Sequence, residues 1–170
     1  MSQLKVNSII PVAGVASGQG GGVIQTCTAF KNDSASINAS GGHTEISSDL
    51  RLFVTPKSTS SKILVTATIT FSQSADIVAF RMSRLIGSTT TDVFNHSGTN
   101  DNLDGCAQHW TNNTARMVTV SFSFIDSPNT TSEVRYTPTV YSVTSVQINR
   151  IYNSDNYLGS SSMIGQEISA

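Results

Sequence analysis

Lys62-Ile63-Leu64-Val65-Thr66-Ala67-Thr68-Ile69-Thr70-Phe71-Ser72 is the stretch that decides the fold. Ile63, Val65, Ala67, Ile69 and Phe71 fall on one parity, and Thr66, Thr68, Thr70 and Ser72 on the other. Successive side chains in a strand point to opposite faces, so this run lays one face on a core and turns the other to water or a partner. Threonine suits the outer side because its branched Cβ packs well on a pleated surface. Met117 to Asp126 repeats the pattern, with Val118, Val120, Phe122 and Phe124 alternating with Thr119, Ser121 and Ser123.

Around these two runs lie weaker candidate strands at Val23–Phe30, Ile46–Thr55, Ile77–Ile86, Glu133–Val143, Val146–Arg150 and Ser160–Ser169. Turn clusters separate them: Pro56-Lys57-Ser58-Thr59-Ser60, Gly87-Ser88-Thr89 and Asp126-Ser127-Pro128-Asn129-Thr130. Such residues restrict φ or cap the backbone locally. No segment keeps helical spacing for two turns. About eight short strands predict a mainly-β chain, an antiparallel β-sandwich of jelly-roll type.

Two segments depart from clean alternation. Ile77–Ile86 has Val78, Phe80 and Met82 on one parity and Ile77, Ala79 and Leu85 on the other; Tyr136–Ile148 sets Tyr136, Val140, Val146 and Ile148 against Tyr141 and Val143. A strand apolar on both faces is buried on both. Either a subunit interface or a loop folded back over the sheet supplies the second cover.

Composition narrows the function. The 170 residues fit one domain, large enough to fold without a metal or disulfide. Only 12% are charged, the net charge is -1, and 27 serines with 20 threonines dominate the polar residues. That argues against coiled coils, which need many charged residues, and against nucleic-acid binding, which needs excess cations. No run reaches the about 18 apolar residues of a membrane span. The segment Ile9 to Ala16 is interrupted by Pro11 and Gly14, against a signal peptide. Residues 1–22 read as an apolar arm followed by the hinge Gly18-Gln19-Gly20-Gly21-Gly22, and 23–170 as the sandwich domain.

Chemistry-bearing motifs are incomplete. Cys106-x-x-His109 is half a metal site, without a second ligand pair. Asn100-Asp101-Asn102-Leu103-Asp104-Gly105 resembles a calcium loop but starts on Asn and has Thr111 at the twelfth position. No G-x-S-x-G frames a nucleophile. The expectation is no enzyme activity, no catalytic residue, no metal and no cofactor. Cys27 and Cys106 are expected to be free thiols, with a single bridge as the alternative. Trp110, with Asn100 and Asp101 nearby in the chain, is the candidate glycan contact, since an aromatic face packs against a sugar.

Several motifs carry a resemblance. Ser2-Gln3-Leu4-Lys5-Val6-Asn7-Ser8-Ile9, followed by a proline and a glycine-rich stretch, resembles the opening of small virion structural proteins of tailed bacteriophages, notably marine and cyanobacterial ones. Thr55 to Val65 is similar to their "TP-x-S-x-x-SKI-x-V" element, and Phe80-Arg81-Met82-Ser83-Arg84 to "LRL-x-R". Phe124 to Thr131, Ile148-Asn149-Arg150 and Glu167-Ile168 fit as well. The resemblance implies a head-decoration or tail-fibre protein and trimers of jelly rolls; it carries no catalytic or ligand residue.

The combined expectation is a virion-surface subunit assembled in the host cytoplasm, a capsid-decoration (cement) or head-fibre protein. It is expected to be a homotrimer anchored to the major capsid protein, or to a tail or neck protein, through Leu4, Val6, Ile9 and Ile10. Ile77, Phe80, Met82, Tyr141 and Val143 are the expected subunit contacts. No nucleic acid and no membrane insertion are expected. The alternatives are a tail-fibre or adhesin subunit binding host surface glycan, and a free carbohydrate-binding module.

Overall fold

Burial along Lys62–Gln73 alternates as the sequence predicts up to Ile69, with Ile63, Val65, Ala67 and Ile69 fully inside, and from Thr70 to Gln73 the strand is buried on both faces. The computed structural model describes residues 22–73, 77–94, 105–110, 116–151, 156 and 158–169. Among these, the strands in chain order are β1 (Val23–Lys31), β2 (Ala35–Asn38), β3 (Thr44–Glu45), β4 (Leu52–Val54), β5 (Lys62–Gln73) and β6 (Ile77–Ile86). They continue as β7 (Thr89–Phe94), β8 (Ala107–Trp110), β9 (Val118–Asp126), β10 (Val134–Ser142), β11 (Ser145–Ile148) and β12 (Ser161–Ile168).

Every strand pairing is antiparallel. β5 is flanked on one edge by β12 and β11, which carry β1 and β2, and on the other by β9. β10 pairs along its whole length with β6; its other edge takes β3 and β4, while β7 and β8 share the far edge of β6. Pieces that share an edge form one lane, which leaves eight lanes in chain order. The first sheet then runs 1-8-3-6 and the second 2-7-4-5. The chain thus winds from sheet to sheet and returns beside its start, the order of a jelly roll.

The inner faces meet in one core. Phe71 and Phe80 pack edge to face at 5.0 Å, and Phe124 stacks on Phe94 at 4.8 Å while meeting Tyr136 edge-on. Each fully buried large side chain contributes about 1.5–3 kcal/mol relative to exposure.

The structure departs from the sequence reading in several places. Ile46–Thr55 is not one strand: Ser47 accepts a hydrogen bond from the Asp49 N–H, starts a single 3-10 turn over Ser48–Leu50, and drops Leu50 into the core. Gly87, at φ 58, turns β6 directly into β7, a strand the sequence reading left out.

The chain itself covers the second face of β6 at Ala79, which is fully buried, while Ile77 and Leu85 on that face stay half-buried. Gly105 lies so close that a Cβ there would sit 2.7 Å from the Phe80 carbonyl oxygen and 3.1 Å from the Ala79 Cβ. The Cys106 N–H donates to the same carbonyl at 2.7 Å. Phe80 and Met82 are fully buried in the chain's own core, which corrects their assignment as subunit contacts: they have no surface to offer a neighbour. Tyr141 is buried beside the His43 ring, 5.9 Å away.

Candidate interaction surfaces

The outer faces of the two sheets differ sharply in charge. On the first sheet β1 turns out Ile24, Thr26, Thr28 and Phe30, and β12 turns out Ser162, Ile164, Gln166 and Ile168. β5 adds Leu64, Thr66, Thr68 and Thr70, and β9 adds Thr119, Ser121, Ser123 and Ile125. Register places these in continuous rows, such as Phe30–Ser162–Thr68–Ser121 and Thr28–Ile164–Thr66–Ser123. None of these positions is charged; Lys62 stands at the rim. Phe30, Ile125 and Ile164 are exposed within it, at 57%, 60% and 41%. Hydroxyls bridge the strands at 3.0 Å in Thr68–Ser121 and again in Thr70–Thr119.

The second sheet's outer face carries the charges. Arg51 holds Glu45 at 2.6 Å, and Arg81 faces Asp92 at 3.6 Å. Glu45 holds the Arg51 guanidinium above its ordinary pKa, by its hydrogen bond first and its charge second. Phe53, Arg135 and Leu85 form one cross-strand row at the end of this face, where they line an open groove of about 350 Å³ with Gly87, Ser132 and Glu133.

Polar groups inside the sandwich are tied down. Glu167 on β12 is fully buried and accepts from the Lys57 N–H and from Gln25 Nε2, each at 2.6 Å. Asn149 is buried at φ 59; its Nδ2 donates to the carbonyls of Lys31 and Asp33, and its Oδ1 accepts from Ser161. Lys31, also buried, pairs with Asp33 and lies 3.6 Å from Asp49. Asp33 is held below its ordinary pKa by its hydrogen bond from Lys31.

The predicted site residues are scattered. Ile77 is half-buried at the start of β6, and Val143 is 48% exposed beyond β10. Trp110 ends β8, its backbone paired with Ile77. Leu4, Val6, Ile9, Ile10, Asn100 and Asp101 lie outside the described residues, as does the calcium-like loop up to Asp104. Cys27 and Cys106 are free. Burial pushes the Cys106 thiol up to about 12, so it is a poor nucleophile and a poor metal ligand near neutrality. Among the described residues no three His, Cys, Asp or Glu side chains converge on a metal-sized site, and no helix is long and apolar enough to cross a membrane.

Neither surface was assigned from sequence. The uncharged face had a visible signal, the Thr and Ser parity of β5 and β9, but their adjacency arises only from pairing. The groove draws on positions 53, 85 and 135, which nothing local connects.

No protein-family model matches the sequence. No curated protein is detectably similar to it. Among solved structures, the Eiger TNF of S. frugiperda aligns over 89% of this chain and 94% of its own, at 8% identity and a TM-score of 0.49. The VP2 subviral particle of infectious bursal disease virus aligns over 98% of this chain and 43% of its own, at 14% identity and a TM-score of 0.39. The chain thus has a distant likeness of shape to a TNF-like cytokine and a viral capsid protein. The jelly-roll assignment rests on the strand order above.

Proposed function

We propose that the chain is a non-enzymatic virion structural protein of a tailed bacteriophage, a capsid-decoration or head-fibre subunit that works as a homotrimer. The observation that carries the self-assembly is the uncharged outer face of the first sheet. A face without charge meets a copy of itself without like-charge repulsion. Its hydroxyls both donate and accept, so they remain complementary under a symmetry operator. Exposed Phe30, Ile125 and Ile164 supply apolar area of the kind that soluble monomers rarely cluster.

The virion role is supported by the sequence resemblance, and anchoring by the apolar residues Leu4, Val6, Ile9 and Ile10 ahead of the glycine hinge. Three copies bring three arms to one particle, so weak single contacts multiply into avidity. The partner on this reading is the major capsid protein or a tail or neck protein, and the subunit sits on the virion surface.

Native mass spectrometry of the full chain and of a variant beginning at Val23 tests both parts. Trimers from both, with particle co-sedimentation lost only in the shortened chain, are expected. Monomers throughout would remove the assembly half of the proposal. Full particle binding without residues 1–22 would remove the anchoring half.

A further inference from the structure

We propose that the groove at Phe53, Arg135 and Leu85 binds a carboxylate-bearing sugar. Arg135 lies between the two apolar side chains, directly across from Phe53 on β4 and Leu85 on β6. Arg51, Arg81 and Arg84 each face a carboxylate within the chain. Arg135 does not: its Nε is buried and has no hydrogen-bond partner. Two residues along the same face of β10, the Thr137 Oγ1 is likewise buried and unpartnered. An unpartnered donor is costly, and of these two Arg135 is the one on the groove lining, where a ligand can meet its guanidinium.

The lining specifies the ligand class. A guanidinium presents a planar fork of donors that matches a carboxylate in bidentate fashion. Phe53, 47% exposed, offers a flat apolar face to the C–H side of a sugar ring. Glu133 and Ser132 stand on the same groove, suited to accept from ring hydroxyls. The turn at Gly87 leaves its side open, with no atom within 4 Å of where a Cβ would be. The volume, about 350 Å³, is that of a small pocket and holds one or two sugar units.

This site lies on the sheet opposite the uncharged face, so it is present in one chain whether or not the chain forms trimers. Saturation-transfer NMR and titration calorimetry on the full chain test it, with sialyllactose, trigalacturonate, lactose and sulfated lactose as probes. One or both carboxylated sugars are expected to bind, with a Kd of about 0.1–1 mM, and lactose not to bind measurably. Arg135→Gln is expected to weaken that binding about tenfold to a hundredfold, the loss of a charge-assisted hydrogen-bonded pair. Arg135→Lys keeps the charge without the fork and should fall between. Phe53→Ser should weaken binding several-fold, with unchanged thermal unfolding showing that all three variants remain folded. Equal binding of lactose, preference for the sulfate ester, indifference to Arg135→Gln, or no carboxylated sugar bound at about 10 mM would each overturn the proposal. Sialyllactose and trigalacturonate then separate the two natural sources of such a carboxylate.

Discussion

Arg84 on β6 and Asp126 on β9 meet across the interior, with Nη1 at 2.7 Å and 2.9 Å from the two carboxylate oxygens, so a single ion pair ties one sheet to the other. Tyr136 completes it by donating its hydroxyl to Asp126 Oδ2 at 2.7 Å. Both charges are largely shielded from water, at 19% and 10% exposure, so losing one strands the other. Asp126→Ala is expected to lower unfolding free energy by about 3 kcal/mol in urea, and Tyr136→Phe by about 1 kcal/mol. A smaller loss for Asp126→Ala than for Tyr136→Phe would show that the pair does not hold the sheets.

The same cluster gives an alkaline signature. Burial, then the hydrogen bond to Asp126 and its negative charge, raise the Tyr136 phenol above its ordinary value. The folded chain therefore keeps this proton at a pH where the unfolded chain releases it. The resulting stability is complete below the ordinary tyrosine pKa of about 10 and is lost as pH rises past it. Stability curves of Tyr136→Phe should be flatter above that point than those of the parent.

Glu167 gives an opposite, acidic signature. Burial raises its pKa, but the hydrogen bonds it accepts, that from the Lys57 N–H among them, outweigh burial and leave it below the ordinary glutamate value. Its contribution is present above the unfolded pKa and is lost as pH falls through the lower folded one. Glu167→Gln should cost about 2 kcal/mol near neutrality, and the gap to the parent should narrow as the medium is made acidic. A gap that stays constant between those conditions would assign the cost to shape and not to charge.

Asn149 fastens the break between β1 and β2 to the break between β11 and β12. It does so from a left-handed backbone conformation that most residues resist. Asn149→Ala removes three hydrogen bonds and should cost about 3 kcal/mol. Asn149→Asp should be at least as damaging, since a carboxylate there faces two carbonyl oxygens. Asn149→Gly relieves the backbone and should recover about 1 kcal/mol of the alanine loss in thermal unfolding.

A charge placed on the uncharged face separates assembly from folding. Ile164 is half-exposed in the middle of that face, so Ile164→Lys should shift unfolding by less than about 1 kcal/mol in the isolated subunit. Repeated by symmetry, the same lysine sets like charges together, and sedimentation should show subunits coming apart. Thr90→Lys, exposed on β7 of the other sheet, adds the same single charge as a control and should leave assembly unchanged.

Much of the fold was legible because strands declare themselves locally. The bounds of β6 follow from its apolar run, and β5 from strict alternation that burial reproduces up to Ile69. Thr89-Thr90-Thr91-Asp92-Val93-Phe94 escaped because its first four residues are all polar and exposed, so no parity stands out until Gly87 is known to turn the chain back. The double-faced apolar character of β6 was visible, but the close approach of Gly105 to Ala79 comes across a long sequence gap. Surfaces were harder still. Thr66 and Ser123 each read as outward, yet only the β5–β9 register sets them side by side. Phe53, Arg135 and Leu85 become neighbours through two separate pairings of β10.

The strand order also has a cost in time. Among the described residues β1 finds its partner in β12, with Val23 opposite Ile168, so the first described strand waits for the last. Until then Cys27 and Ala29, which face the core, and the backbone edge of β1 stay uncovered. Closing so long a loop before its contacts form makes refolding slow.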